Sequence, residues 1–196
     1  LDLTASAVCL FALDIDFFKQ VNDTHGHLYG DLVLKAFARR LESIAERLSD
    51  EIQGSVRFFC ARPSGEEFLV LASGALERGD EETIAETFRL ETVSDPLPNM
   101  TEWRQIAFEE SLQDSMLPHV SERRITISIG FSNRSGTFDK PTSDVSYELR
   151  NEADIALYRA KQSGRNRYIR FSDILHYHGR VLEYHSDTQV LALDIG

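Results

Sequence analysis

The chain of 196 residues contains only two cysteines, Cys9 and Cys60, and no long apolar run. Each cysteine lies inside a short apolar stretch, where the side chain usually packs as a small hydrophobe instead of joining a disulfide or a metal site. No stretch approaches the roughly 20 apolar residues that cross a bilayer, and no basic segment followed by an apolar one marks a signal peptide. We therefore expect a cytoplasmic protein that makes no contact with a membrane.

Positive charge is also scarce, because 21 lysine and arginine residues stand against 32 aspartate and glutamate residues. The formal net charge of -11 argues against a surface that neutralises the many phosphates of a nucleic-acid polymer. A single nucleotide stays compatible, since carboxylates can hold a divalent cation and a few basic side chains can complete the neutralisation. The 42% hydrophobic content is ordinary for one globular domain.

The first half of the chain predicts a strand, a helix and a hairpin. A nearly continuous apolar run over residues 5–15 predicts a buried strand that ends at acidic residues. A turn-rich segment follows, and from Gly30 onwards apolar side chains recur every three or four residues, as on one face of a long helix. Apolar runs at 56–62 and 67–71, separated by a proline and a glycine, predict a β-hairpin with a tight turn.

The second half predicts a similar alternation of helices and strands. The expected elements are helices at 81–90 and 103–117, a half-buried strand at 125–131, a helix at 144–163 and a strand at 168–171. This order, β-α-β-β-α-β with one further helix and strand, predicts an α+β sheet with helices packed on it. We expect one domain over residues 1–172. Residues 173–196 form a C-terminal extension, which is either an added hairpin or the start of another domain.

Acidic side chains end the first strand, at Asp14 and Asp16, and occupy the hairpin turn, at Glu66 and Glu67. If the hairpin pairs beside the strand, these carboxylates come together and repel one another unless a cation lies between them. Magnesium takes such oxygen ligands and bridges to substrate phosphates. The alternative is that these are solvated turn carboxylates with no metal.

Three separated motifs resemble the GGDEF family of diguanylate cyclases. They are DIDFFKQVNDTHGHLYGD from Asp14, SGEEF from Ser64 and ADIALYRAKQSGRNR from Ala153. The likeness covers most of residues 5–171, and Ser64 stands where the family usually has its first glycine. The resemblance implies a palm-like, ferredoxin-like βαββαβ fold with a mainly antiparallel sheet. It also implies a nucleotidyltransferase that condenses two GTP molecules into cyclic di-GMP and two pyrophosphates.

Carried over to this sequence, the resemblance implies a metal site made by Asp14, the backbone carbonyl of Ile15 and Glu66. The expected ion is Mg²⁺, with Mn²⁺ as an alternative. Glu67 then accepts the proton of the ribose 3′-hydroxyl or serves as a further metal ligand. Asp16 supports a second metal or orients the end of the strand, and both roles stay open.

The resemblance also implies a substrate pocket. Asn22 and Asp31 match the guanine-binding pair of the family, and a carboxylate can accept the N–H groups that guanine has and adenine lacks. His27 matches another substrate-contacting position, or stabilises the turn. Lys161 and Arg165 lie four residues apart, so they can face the same way and contact phosphate, or else compensate the helix dipole.

Three further residues have expected roles beside this pocket. Lys19 resembles the lysine that stabilises charge on the phosphates in the transition state. Phe17 and Phe18 are expected to anchor the turn in the core.

The same resemblance implies a homodimer, in which each subunit holds one GTP, and a fusion to a sensory or regulatory domain. Only LDLT precedes Ala5, where the family has a helix and a DxLTGLxNR segment, so we expect the N-terminal part of the domain to be incomplete. One alternative is a catalytically inactive module that binds GTP or cyclic di-GMP as a regulator. Another is a related cyclase that uses a different purine nucleotide.

Overall fold

The computed structural model describes residues 7–52, 55–109, 124–136, 142–178, 183–185 and 190–192. Its main sheet contains β1 (Ala7–Ile15), β2 (Val56–Ser64), β3 (Glu67–Gly74), β4 (Ile127–Ser135) and β5 (Tyr168–Arg170), in the spatial order β2-β3-β1-β4-β5. Neighbouring strands are antiparallel except β4 and β5, which are parallel. The helices are α1 (Phe18–His25), α2 (His27–Glu51), α3 (Asp80–Ser94), α4 (Met100–Glu109), α5 (Thr142–Gln162) and α6 (Phe171–His178). The predicted α+β class is confirmed.

The main hydrophobic core lies between the sheet and the helices α2 and α3. Phe37 of α2 meets Phe68 of β3 edge to face, with ring centroids 4.7 Å apart. Phe11 of β1 contacts Phe88 of α3 and Phe131 of β4, at centroid distances of 6.2 and 5.4 Å. All five rings are at most 2% exposed, so these aromatic contacts fix the sheet against this helical layer.

Helix α5 covers the opposite face of β1 and β4. The prediction of a half-buried strand was wrong here, because Ser128 and Ser132 are buried as well as the apolar residues Ile127, Ile129 and Phe131. A Cβ atom added at Gly130 would lie 2.0 Å from the backbone nitrogen of Leu157 and 2.2 Å from the carbonyl oxygen of Ala153. The alternate residues of β4 are small because the backbone of α5 approaches the strand, and not because they face solvent.

The segment expected to be a turn before Gly30 is helical. Helix α1 ends at His25, Gly26 has a φ of 84°, and α2 begins at His27, three residues before Gly30. Helix α1 is mostly polar, so its sequence shows no apolar period that would predict a helix. Its buried residues Phe18 and Val21 provide its contact with the core. One glycine therefore separates two helices at this point.

The helix expected at 103–117 begins earlier, at Met100, and is described as far as Glu109; residues 110–117 lie outside the described part of the chain. Arg40 of α2 binds both carboxylate oxygens of Glu102, with distances of 2.8 and 2.7 Å. It also donates to the carbonyl oxygens of Thr92, Asp95 and Pro96. This single arginine thus ties the connection between α3 and α4 to α2.

Strand β5 ends at Arg170, one residue earlier than expected, because Phe171 already begins α6. Ile174 of α6 packs with Ile155 and Ala156 of α5. Strands β6 (Glu183–His185) and β7 (Val190–Ala192) form a separate antiparallel pair. The domain division after residue 172 stays a prediction. Among the described residues, no helix combines the length and apolarity that a membrane span requires.

Candidate active site

The structure brings the two acidic stretches together at the end of β1. In the antiparallel pairing of β1 with β3, Asp14 stands opposite Glu67. The backbone N–H of Ile15 donates to the carbonyl oxygen of Glu66 at 3.5 Å. Glu66 lies in the tight turn between β2 and β3, whereas Glu67 is already the first residue of β3. The hairpin therefore presents its two glutamates beside the strand that carries Asp14.

Asp14 is buried, and burial raises the pKa of its carboxyl group from 3.8 to about 6. The hydrogen bond and charge of Lys161 oppose this rise, since the ammonium lies 2.7 Å from Oδ2 of Asp14. The charges of Glu66 and Asp16 raise the pKa further. Asp14 and Glu66 are thus close enough to repel each other, which is the arrangement that a divalent cation relieves.

Asp16, two residues later, has different surroundings. Its Oδ1 accepts a hydrogen bond from the Ser128 hydroxyl, and its Oδ2 accepts from the Thr126 hydroxyl and the backbone N–H of Asn166. These donors come from the start of β4 and from the turn between α5 and β5. The Asp16 carboxylate therefore joins three parts of the chain at one point.

Glu67 is exposed and points towards α5, where its carboxylate lies 3.9 Å from the guanidinium of Arg150. Arg150 also donates to Asp154 at 2.9 Å. Burial raises the pKa of Asp154, the bond from Arg150 lowers it and the charge of Glu67 raises it again. The sequence analysis did not predict that Arg150 and Asp154 lie beside Glu67. The signal was the spacing of Arg150, Asp154 and Lys161 by four and seven residues, which places them on one face of a helix.

The two basic residues expected to share a helix face do not share one. Lys161 is in α5, but the helix ends at Gln162 and Arg165 follows with a left-handed φ of 60°. Both nevertheless approach the end of β1, because Lys161 contacts Asp14 and the guanidinium carbon of Arg165 lies 4.5 Å from the ring centroid of Phe17. Phe17 is 47% exposed, so the expectation that it anchors the turn in the core was wrong, while Phe18 is buried.

The expected guanine-binding residues lie on neighbouring helices. The side chain of Asn22 in α1 covers Gly30 in α2, because a Cβ atom at Gly30 would lie 1.9 Å from Oδ1 of Asn22. Asp31 is the next residue and is exposed. His27 is the exposed first residue of α2, and Lys19 is exposed in the first turn of α1. Asn22, His27 and Asp31 therefore lie near the junction of α1 and α2, whereas Lys19 lies nearer the end of β1.

The donor set suits magnesium better than a metal that needs a closed cage of side chains. In the part of the chain that the structure describes, no three His, Cys, Asp or Glu side chains are grouped as such a cage would be. Magnesium is commonly held by one or two carboxylates, with water and substrate phosphates in the other positions. Asp14 and Glu66, which repel each other across the end of β1, fit that requirement.

Comparison with known proteins gives the same family as the motifs. Residues 2–96 match the family described as diguanylate cyclase, GGDEF domain. The response regulator PleD from Caulobacter vibrioides is 34% identical over 164 residues, which are 84% of this chain and 29% of PleD. The chain belongs to the GGDEF family. It spans less than half the length of the curated relatives it matches.

Solved GGDEF domains have the same fold. The GGDEF domain of DgcB from Caulobacter crescentus, solved in complex with c-di-GMP, is 28% identical, with a TM-score of 0.59 over 85% of this chain and 79% of that one. The active GGEEF domain of a diguanylate cyclase from Vibrio cholerae is 25% identical, with a TM-score of 0.59 over 84% and 83% of the two chains. The expected palm-like fold is thus confirmed.

Proposed function

We propose that this GGDEF domain is a diguanylate cyclase, which condenses two GTP molecules into one cyclic di-GMP and releases two pyrophosphates. The observation that carries the proposal is the meeting of Asp14 with Glu66 and Glu67 at the end of β1, beside the ammonium of Lys161. A similar domain from Vibrio cholerae is described as active with a GGEEF signature, so glutamate at the third signature position is compatible with activity.

The residues that would hold the metal are Asp14, the backbone carbonyl of Ile15 and Glu66. We propose Mg²⁺ as the ion, with Mn²⁺ as a substitute. When bound, the ion would neutralise charge on the triphosphate and polarise the α-phosphate. Burial of Asp14 beside Glu66 supports this assignment, because the pKa of Asp14 stays raised even though the Lys161 ammonium lies 2.7 Å away.

Basic side chains would complete the phosphate site. Lys161 already lies 2.7 Å from Asp14, so a triphosphate gathered at Asp14 meets its ammonium. Arg165 also approaches the end of β1, where it contacts Phe17. Lys19 lies in the first turn of α1, shortly after the end of β1. We assign Lys161 and Arg165 to binding of the phosphates, and Lys19 to the charge that develops as pyrophosphate leaves.

Glu67 is the proposed proton acceptor for the ribose 3′-hydroxyl. It is exposed at the first position of β3, so it can reach a hydroxyl on a nucleotide held by a second subunit. Two subunits facing each other would place the 3′-oxygen of one GTP in line with the α-phosphate of the other. We therefore propose that the active form is a homodimer.

Guanine recognition is assigned to Asn22 and Asp31, with His27 as a further contact. Asp31 is exposed beside Gly30, over which Asn22 lies, so the carboxylate and amide can face one base. A carboxylate accepts both N–H groups on the edge of guanine, which favours GTP over ATP.

We also propose a role for this domain within the whole protein. Because PleD is a response regulator of which this chain matches 29%, we propose that the domain, at residues 1–172, works in the cytoplasm as the output module of a larger signalling protein. Residues 173–196 would then be an extension of that module.

The direct test is incubation with GTP and Mg²⁺, followed by mass spectrometry for cyclic di-GMP. We expect product from the wild type, none from Glu66→Gln, and wild-type amounts from Glu77→Gln, a matched change at an exposed glutamate beyond the end of β3 opposite to Glu67. ATP in place of GTP should give no cyclic dinucleotide. A wild type that binds GTP or cyclic di-GMP without forming product would favour the regulatory alternative.

A further inference from the structure

We infer that Asp16 is a positioning residue, which holds the turn carrying Arg165 against the end of β1, and that it is not a metal ligand. The inference rests on the proposed function, because Arg165 is assigned there to the GTP phosphates. It resolves the two roles that the sequence left open for Asp16, a second metal or the orientation of the strand end.

Both oxygens of the Asp16 carboxylate already accept hydrogen bonds from the protein. Oδ1 accepts from the Ser128 hydroxyl at 2.6 Å, and Oδ2 accepts from the Thr126 hydroxyl at 2.7 Å and the Asn166 N–H at 3.0 Å. The residue is 5% exposed. A carboxylate offers about four acceptor positions, so three filled positions in a buried site leave little for a metal.

The hydrogen bond from the Asn166 N–H to Asp16 holds a turn whose backbone is left-handed at two successive residues. Arg165 and Asn166 have φ values of 60° and 47°, in the left-handed region that residues other than glycine rarely adopt. Such a pair persists only where its surroundings hold it in place. The Asp16 carboxylate is the acceptor that binds this turn to β1 and β4 at once.

Phe17, the residue after Asp16, contacts the side chain of Arg165. The guanidinium carbon lies 4.5 Å from the ring centroid of Phe17, which is within the range of a cation–π contact. Phe17 itself has a left-handed φ of 58° and an exposed ring. Adjacent residues at the end of β1 thus fix both the backbone beside Arg165 and its side chain.

Loss of the Asp16 carboxylate should therefore act through Arg165. The Asn166 N–H would lose its acceptor, and the turn would keep the bond from the Arg165 N–H to the carbonyl oxygen of Ala160 but not its tie to Asp16. The guanidinium would then no longer be held where a phosphate can meet it. Because a charge-assisted hydrogen bond to phosphate is lost, we expect the KM for GTP to rise roughly 10- to 100-fold. The kcat should fall less than the affinity, since Arg165 would act on binding before it acts on the chemical step.

The first test is a double-mutant cycle with Asp16→Ala, Arg165→Ala and the combined variant. We expect the two single variants to raise the KM for GTP by similar factors, and the combined variant to be no worse than Arg165→Ala. Ser128→Ala is the matched control, because it removes one donor to Asp16 and leaves the Asn166 bond, so its KM should stay near wild type. Effects of the two single variants that multiply would overturn the inference.

Asp16→Asn separates positioning from metal binding. An amide oxygen can still accept from Thr126 and Asn166 while its NH₂ donates to the Ser128 oxygen, but the negative charge is gone. We expect the KM for GTP, and the affinity for Mn²⁺ measured calorimetrically, to stay near wild type. A loss of Mn²⁺ affinity like that of Asp14→Asn would show that Asp16 is a ligand. If Asp16→Ala does not fold, this variant decides the question alone.

Amide hydrogen exchange tests the same contact without catalysis. We expect the Asn166 amide to be protected in the wild type, in Ser128→Ala and in Asp16→Asn, and to exchange faster in Asp16→Ala. Unchanged exchange in Asp16→Ala would overturn the positioning role even in an active enzyme. A wild type that forms no cyclic di-GMP but shows the expected exchange pattern would instead overturn the proposed function and leave the positioning role standing.

Discussion

The acidic half of the candidate site, formed by Asp14, Glu66 and Glu67, is built differently from the basic half, formed by Lys161 and Arg165. In the acidic half, burial and the neighbouring carboxylates raise the pKa of Asp14 to about 6. In the basic half, Lys161 contacts Asp14 and Arg165 contacts Phe17. The acidic half therefore keeps unfavourable charge in the folded state, which a divalent cation would relieve, whereas contacts within the fold hold the basic half in place.

The largest effect should come from Asp14→Asn, which removes one carboxylate of the acidic half. We expect turnover of GTP to fall by at least roughly 100-fold, because charge stabilisation at the α-phosphate depends on the metal it would hold. The melting temperature without metal at pH 7 should be maintained, since the ionised Asp14 is unfavourable in the folded state. Asp50→Asn, at an exposed position of α2, is the matched control. Normal turnover by Asp14→Asn would contradict the account.

Displacement of α5 should lower both the stability of the fold and the activity that depends on the basic half. Gly130→Ala places a methyl group against the backbone of Leu157 and Ala153, and it should lower the free energy of unfolding by about 1–3 kcal/mol. Activity should fall with it, because α5 carries Lys161. Urea unfolding and turnover measure the two effects. Gly136→Ala, where the added Cβ meets nothing within 4 Å, reports the cost of a positive φ alone, and equal losses in both variants would contradict the steric explanation.

The acidic half could be predicted from the sequence and much of the basic half could not. A strand that ends in Asp14 and a hairpin that carries Glu66 follow from local periodicity and turn residues. The left-handed turn at Arg165 has only the neighbouring Gly164 and Asn166 as local signals, and the hydrogen bond from Asn166 to Asp16 joins residues 150 positions apart. Contacts of that kind depend on packing, which the pattern of a single segment does not contain.

The two errors of burial have the same origin. Phe17 looked like a core residue because it is aromatic, yet it lies exposed against Arg165. Ser128 looked like a surface residue because it is polar, yet it is buried and donates to Asp16. In each case the partner comes from a distant part of the chain, so composition alone could not show it.

A smaller effect should come from Lys161→Ala, which removes the contact between the two halves. We expect the KM for GTP to rise roughly tenfold, as for the loss of one charged phosphate contact. The pKa of Asp14 should also rise further, because the hydrogen bond and charge of Lys161 hold it down. The pH above which Mg²⁺ binds should therefore move upwards, which calorimetric titration at several pH values can measure. An unchanged pH dependence would show that the halves are independent.

The smallest effect is a pH-dependent change in stability. Since folding raises the pKa of Asp14 from 3.8 to about 6, protonated Asp14 favours the folded state below pH 4, and that contribution is lost as the pH rises through 6. Mg²⁺ competes with this proton, so it should raise the melting temperature at pH 8 and have little effect at pH 5. Asp14→Asn should show no such dependence on pH. Equal stabilisation by Mg²⁺ at both pH values would place the ion elsewhere.

Asp14 and Glu66 are proposed to share one divalent ion that holds GTP. The most direct measurement is a crystal structure with Mn²⁺ and a non-reactive GTP analogue, in which the anomalous signal locates the metal. We expect a peak within roughly 2.0–2.3 Å of a carboxylate oxygen from each residue and of a phosphate oxygen. A peak that touches neither residue, or a bound nucleotide whose phosphates lie away from the end of β1, would contradict this proposal.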